Sequence, residues 1–229
     1  MTGNKIKASS IRGALSPWRY EASLNRWIGG QARAFREFTA NLIEVAPGES
    51  VLDLGCGTGE LALTLGRRVG PNGRVAGIDI SKALVAGARR KAKRAGLAID
   101  YRVASVEQLP FEDATVDVVV SSLVLHHLAP EVLERAVREI RRVLKPGGRI
   151  FVIDFQSLDQ AGHGHHQAHG HAHTHDHAPQ QEHPTHHGRL HDHRPILVSL
   201  LKEAGLTDAH AIPVEFGQRL EVTRGRLTT

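Results

Sequence analysis

The chain has 229 residues, 41% of them hydrophobic and 23% charged, which suits one globular domain with a sizeable core and excludes two full enzyme domains. The 29 Lys and Arg against 24 Asp and Glu leave a formal charge of +5 with histidine neutral, too mild by itself to argue for nucleic acid. No run of about 18 apolar residues is present to span a membrane, MTGNKIKASSIRGALSPWRY lacks the apolar stretch of a secretory leader, and the lone Cys56 excludes an internal disulfide framework, so a reducing cytoplasm is the expected location.

The first segment, to about Val45, reads as helix, because Leu24, Trp27, Ile28, Phe35, Phe38, Leu42 and Ile43 recur at roughly helical spacing. Gly29-Gly30 break it into two pieces and Pro47-Gly48 end it, giving an N-terminal helical cap over residues 1–46. Short apolar runs then alternate with amphipathic ones. Ser50–Leu54 reads as a buried strand, followed by a Gly-rich turn and a helix from about Gly59 to Val69. Arg74–Ile78 is a second strand ending in Asp79, and Ser81 is a candidate N-cap for a helix to Ala95, stopped by Gly96. Ile99–Val103 and Val116–Ser121 are the third and fourth strands. Pro130 suits the first position of a helix to about Leu144, stopped by Pro146-Gly147-Gly148, and Arg149–Asp154 is the fifth strand. Residues 157–194 contain almost no large apolar side chains, cannot bury enough surface to offset their ordering entropy, and are expected to form a flexible insert. A helix over Pro195–Ala204 and two strands, Ala209–Phe216 and Arg219–Arg226, joined at Gly217-Gln218 as an antiparallel hairpin, complete the chain. The alternation predicts a single α/β domain around a mostly parallel sheet covered on both faces.

The strongest chemical signal is VLDLGCGTGE, residues 51–60, where a strand runs into Gly55, Gly57 and Gly59 and a helix opens behind them. Dinucleotide dehydrogenases use G-x-G-x-x-G so that a pyrophosphate meets the helix N-terminus. Here the spacing is G-x-G-x-G, and Asp53 stands at the strand end. A carboxylate there would repel a pyrophosphate and suit a ligand carrying an ammonium group, which disfavours a nicotinamide dehydrogenase. Asp79, after the second strand, can accept hydrogen bonds from both hydroxyls of a ribose.

With VLDLGCGTG followed in order by VAGIDIS, QLPFEDATVDVVVSSLVLHHL and LKPGGRIFVID, the chain resembles the class I S-adenosylmethionine (SAM) methyltransferases, in particular the small-molecule branch that includes ubiquinone- and menaquinone-pathway enzymes. The resemblance covers residues 35–155 and implies a Rossmann-like fold with seven strands, a C-terminal antiparallel hairpin and SAM as cofactor. It implies that Gly55, Gly57 and Gly59, with Cys56 as a small turn residue among them, form the loop under the methionine and ribose of SAM. By the same resemblance Asp53 lies near the amino group, Asp79 holds the ribose, and Ile80 packs on the adenine. Ser105 and Val106 fall beside the adenine, where the family commonly has Asp-Ala. Ser105 thus replaces an acid, leaving water or Glu107 as alternatives for adenine N6. Ser121 and Ser122 would face the methionine part and the substrate.

Methyl transfer from a sulfonium is an in-line displacement in which the protein mainly supplies alignment and desolvation. A general base is needed only if the nucleophile carries a proton. His126 and His127, after the fourth strand, are the candidate catalytic residues, as base, substrate contact or structural turn. Tyr20 and Trp18 are candidates to line the pocket from the N-terminal cap, or to pack the helix. The chain lacks a second cysteine for cytosine C5 chemistry or for arsenite, and SSLV stands where adenine-N6 enzymes carry an NPPY-like segment. The basic run Lys82, Arg89, Arg90, Lys91, Lys93 and Arg94 lies on one helix and reads as a phosphate contact or, the favoured reading, as a solvated face. A small organic acceptor is therefore expected, with no membrane and no nucleic acid partner.

Of 16 histidines, 13 lie between His163 and His193: His163, His165, His166, His169, His171, His173, His175, His177, His183, His186, His187, His191 and His193. Imidazoles at this density make a candidate site for Zn2+ or Ni2+, without the fixed spacing of a structural zinc site. Three readings stand side by side: a metal-responsive regulator of access to the active site, a metal store, and a solvated loop. The alternative function for the whole chain is a non-catalytic protein of the same fold acting as a cytoplasmic metal buffer or sensor.

Overall fold

Apolar runs and glycine or proline stops divide the chain into seven strands and six helices among the described residues. The computed structural model describes residues 16–155, 194–217 and 219–228. Helices α1 (Pro17–Trp27) and α2 (Ala32–Ile43) form the cap, separated at Gly29 and Gly30, which both take positive φ. Strand β1 (Ser50–Leu54), helix α3 (Glu60–Val69), β2 (Arg74–Asp79), α4 (Lys82–Ala95) and β3 (Ile99–Val103) follow. Ser81 caps α4 as expected, its Oγ accepting from the Leu84 amide at 3.4 Å, and Gly96 closes the helix in the left-handed conformation. Strand β4 (Val116–Ser122) leads through a short 3-10 turn (Leu125–His127) to α5 (Pro130–Val143), β5 (Leu144–Phe155), α6 (Arg194–Glu203), β6 (Leu206–Glu215) and β7 (Arg219–Leu227).

The sheet order is β3-β2-β1-β4-β5-β7-β6, with β1 to β5 parallel and β7 antiparallel to both β5 and β6. The chain thus builds outward from β1 to β3, returns, and builds the other way from β4. The crossover lies between β1 and β4, and crevices at such reversals, beyond the carboxyl ends of the strands, are where open α/β sheets bind ligands. One boundary differs from the expectation. Pro146-Gly147-Gly148, predicted as a stop before the fifth strand, belongs to the start of β5. The pairing slips between Val116↔Leu144 and Val118↔Arg149, and this irregularity absorbs Pro146 and the positive φ of Gly147.

Side chains alternate across the strands, so each face has its own core. Val51, Val118, Val120, Phe151 and Ile153 join the α2, α3 and α4 side, while Leu52, Leu54, Val119, Ile150 and Val152 join α5 and α6. Asp53 shares the parity of Val51 and therefore sits under the α1–α4 side. Residues 1–15 of the predicted cap and 157–193 of the predicted insert lie outside the described residues, and with them all 13 histidines named as metal ligands. No helix among the described residues is long and apolar enough to cross a membrane.

Ile140 on α5 is fully buried in the second core. Ile140→Ala is expected to lower the unfolding free energy by about 2–5 kcal/mol, whereas Ala at exposed Arg141 should change it by under about 0.5 kcal/mol. Urea denaturation of the two variants checks the assignment of the buried face.

Candidate active site

Six of the residues singled out from the sequence, Asp53, Gly55, Cys56, Gly57, Gly59 and Asp79, converge at the crossover because β1 and β2 end there. Gly55, Gly57 and Gly59 all take positive φ, from 53° to 80°, so the turn after β1 requires residues without a Cβ. Their surroundings forbid one as well. A Cβ on Gly55 would stand 2.5 Å from the Val124 side chain, one on Gly57 2.8 Å from the Tyr20 hydroxyl, and one on Gly59 would collide with Tyr101. The loop is folded onto β2 by its own amides. Cys56 N donates to the carbonyl of Ile78 at 2.8 Å, Gly59 N to that of Cys56 at 2.8 Å, and Gly57 N to Asp79 Oδ2 at 3.0 Å. Those three donors are spent inside the protein, so they are not free to cradle a pyrophosphate.

Asp79 also accepts from the Ser81 amide through Oδ1 at 2.8 Å. Burial raises its carboxyl above the ordinary range, against the lowering effect of the two amides. Each carboxylate oxygen retains acceptor capacity for a further donor. Asp53 is buried, 2% exposed, and its Oδ2 has no hydrogen-bond partner. Desolvation, reinforced by the charge of Asp79, pushes its carboxyl up to about 8. A buried carboxyl left in this condition is a site for a cation or a donor that the chain itself does not supply. Cys56 is buried in the same loop, and burial together with Asp53 and Asp79 pushes its thiol upward, so it stays protonated and is no nucleophile.

The remaining predicted residues divide by position. Ile80 follows Asp79 with half of its apolar side chain exposed, and Val106 is buried. Ser105 Oγ lies 3.3 Å from Glu107 Oε2, so the replaced acid and Glu107 form one polar corner. Ser121 is buried at the end of β4 with its Oγ unpartnered. His126 is buried and His127 exposed, their rings 3.9 Å apart, and desolvation with the neighbouring His126 pushes His127 below its ordinary value. Of the two aromatics in the cap, Tyr20 packs on Gly57, with burial and the charges of Asp79 and Glu21 pushing its phenol upward. Trp18 is 72% exposed and lines nothing. Among the described residues no cluster of three or more His, Cys, Asp or Glu could hold a metal ion.

The structure adds residues that the sequence did not single out. Glu21, beside Tyr20 on α1, accepts from Thr58 in the glycine loop and from Arg36 Nη2 at 2.5 Å. Burial would raise its carboxyl, but the Thr58 bond and the charges of Arg36 and Lys91 hold it below the usual range. Lys91 Nζ donates to Thr58 Oγ1 at 2.9 Å and to Glu60 at 2.5 Å. Part of the basic run on α4 therefore serves the loop: Lys91 braces Thr58, and Arg89 clasps the carbonyl of Tyr101. Asp154, at the end of β5, engages both the backbone and the ring of His126.

A carboxylate pair thus lies under a glycine turn at the crossover of a seven-stranded, Rossmann-like sheet. Residues 51–148 match a family model described as a methyltransferase domain. The chain is 36% identical over 137 residues to a ubiquinone/menaquinone biosynthesis C-methyltransferase UbiE of Bordetella avium, covering 60% of this chain and 53% of that protein. It is 38% identical over 135 residues to a 2-phytyl-1,4-naphtoquinone methyltransferase of Trichormus variabilis, covering 58% of each. A crystal structure of a SAM-dependent methyltransferase from Aquifex aeolicus superposes with a TM-score of 0.62 at 22% identity, over 84% of this chain and 89% of that one. The chain spans little more than half the length of these curated relatives. Residues 51–148 are thus similar to methyltransferase domains, and the chain shares the fold of a SAM-dependent methyltransferase.

The raised carboxyl of Asp53 has a thermodynamic consequence. In the unfolded chain it ionises near 3.8 and in the folded one near 8. The folded state therefore binds more protons across that interval, and stability falls as pH rises through it. Asp53→Asn removes the effect. The melting temperature of the variant minus that of the parent, both ligand-free, should grow more positive from pH 5 to pH 8.

Proposed function

We propose that the protein transfers the methyl group of SAM to a small organic acceptor in the cytoplasm, and that its His-rich segment binds Zn2+ or Ni2+. The observation that carries the first part is the buried, unpartnered Asp53 carboxyl beside Asp79, under a loop whose amides are already used. Such a site rejects a pyrophosphate and accepts a ligand with an ammonium group and a vicinal diol. SAM, when bound, supplies an electrophilic methyl on a sulfonium that is already a good leaving group.

The chain's own contribution is binding, orientation and exclusion of water. Asp53 would take the ammonium group, directly or through water, and Asp79 the ribose hydroxyls. Gly55, Gly57 and Gly59 let the backbone approach the ligand closely. Exposed Ile80 offers an apolar face for the adenine, and Val106 with the Ser105–Glu107 corner would complete its surroundings. Ser121 and Ser122, at the end of β4, address the reacting side of the pocket. Tyr20, held over Gly57, closes the site from the cap and keeps water out. The relatives named for quinone substrates support a small aromatic acceptor. The metal reading rests on the 13 histidines of residues 163–193 alone. A lone cysteine supports the location.

Calorimetric titration of SAM into the metal-free chain, repeated after zinc loading, tests the proposal. Micromolar binding, competed by S-adenosylhomocysteine, is expected. Hydrogen bonds to a charged group contribute about 1.5–3 kcal/mol each, so Asp79→Ala should weaken SAM by about tenfold or more. Zinc should itself bind, with affinity falling below about pH 6 as imidazoles protonate. Absence of SAM heat and of competition, in both forms, would overturn the methyltransferase reading and leave a metal-binding scaffold.

A further inference from the structure

The turn after β4 holds a second polar arrangement, separate from the cofactor cradle. Leu123 takes φ +57°, unusual for a bulky residue, while its amide donates to the carbonyl of Ile153 at 2.8 Å. This pins the turn to β5 and brings Val124 against Gly55 of the loop. Two residues on, His126 is 4% exposed. Its amide donates to Asp154 Oδ2 at 3.1 Å, and its ring Nδ1 lies 2.5 Å from Asp154 Oδ1. Asp154 Oδ1 also accepts from the Phe155 amide at 3.0 Å, which fixes the carboxylate. The ring edge packs on Phe155, centroids 5.6 Å apart, and on His127.

A carboxylate oxygen at Nδ1 requires the proton to sit on Nδ1. Nε2 is then a bare lone pair. It is buried and has no hydrogen-bond partner. Only a donor can complete it, so the missing group carries an X–H bond. The turn borders the crevice at the carboxyl ends of β4 and β5, beside the glycine loop, where the acceptor is expected.

We propose that His126 Nε2 is the proton acceptor for a methyl acceptor of the phenol or enol class, and that Asp154 is the positioning residue that fixes its tautomer. The inference rests on the methyl-transfer reading above. An imidazole takes a proton readily from a hydroxyl of phenolic acidity, near that of tyrosine, about 10. A thiol ionises without such help, and a neutral amine can attack before losing its proton. In the step, the O–H bond of the acceptor breaks and its proton passes to Nε2. The electron pair left on the conjugated oxygen or carbon forms the bond to the methyl carbon, and the methyl–sulfur pair returns to sulfur. Where carbon is the nucleophile, the proton on that ring carbon then passes to solvent water and its C–H pair restores aromaticity. The imidazolium formed faces Asp154, the acid opposite it on β5, with His127 the other titratable ring against it.

The first test needs no acceptor. Nitrogen-15 NMR of the intact chain should show His126 with its proton on Nδ1, and Asp154→Asn should shift the population toward Nε2–H. A wild-type ring protonated on Nε2 would overturn the dyad. The second test uses reduced 2-phytyl-1,4-naphthoquinone and 4-hydroxycoumarin as probes. His126→Gln should lower kcat by about 100-fold or more, as loss of a general base does, with the KM for SAM held within about threefold. The loss should shrink with a more acidic halogenated naphthoquinol, a rescue that a packing role would not produce. Retained kcat in His126→Gln would overturn the base. A wild-type chain that binds SAM but methylates neither probe would overturn the acceptor class. A chain that fails to bind SAM would instead remove the reading beneath it.

Discussion

The carboxylate of Asp79 holds the site together. Through one oxygen it takes the amide of Gly57, through the other that of Ser81, so the turn after β1 and the start of α4 are tied to one acid at the end of β2. Cys56 donating to Ile78 adds a second tie between the same strands. With its amides used in this way, the loop presents acid rather than backbone donors. That inverts the electrostatics of the dinucleotide-binding turn it otherwise resembles. The cost is borne at Asp53, a carboxyl buried beside another carboxyl with no partner of its own. Burying two carboxyls side by side is unfavourable, and a bound cation would offset that cost.

The two halves of the sheet divide the work. Strands β1 to β3 and their helices carry the residues proposed to meet the cofactor: Asp53, the three glycines, Asp79, Ile80 and, just beyond β3, Ser105 and Val106. Strands β4 and β5 carry Ser121, the His126 turn and Asp154. Beyond the pairing of β1 with β4, Val124 against Gly55 brings the second half onto the glycine loop of the first. The cap adds a third party, because Tyr20 and Glu21 are neighbours in sequence and grip Gly57 and Thr58 respectively. Methyl transfer suits this division, since it asks mainly for two reactants held in line and kept dry.

The elements were legible where hydrophobic period and breakers agree. Ser50–Leu54 and Ile99–Val103 fall where the apolar runs place them, and Ser81 and Gly96 bound α4 as capping residues should. The start of β5 was not legible, because Pro146-Gly147-Gly148 reads as a stop and becomes part of a strand only through a slipped pairing with β4. In the site, Asp53 and Asp79 could be named because each sits at a strand end beside a recognisable turn. Glu21, Thr58 and Lys91 could not, since they meet from positions up to 70 residues apart through packing alone. Asp154 was visible as the last acid of the fifth strand, but its partner is set by the turn at Leu123, which no local pattern announces. Trp18 shows the converse: an aromatic two residues from Tyr20, on the same helix, left in solvent.

The most direct measurement is a crystal structure of the complex with S-adenosylhomocysteine. The amino group of the ligand should lie on Asp53, directly or through one water, and both ribose hydroxyls on Asp79. The adenine should rest against Ile80. A ligand bound elsewhere, or one in the crevice that leaves Asp53 without a partner, would contradict the assignment of the buried carboxylate pair as the cofactor site.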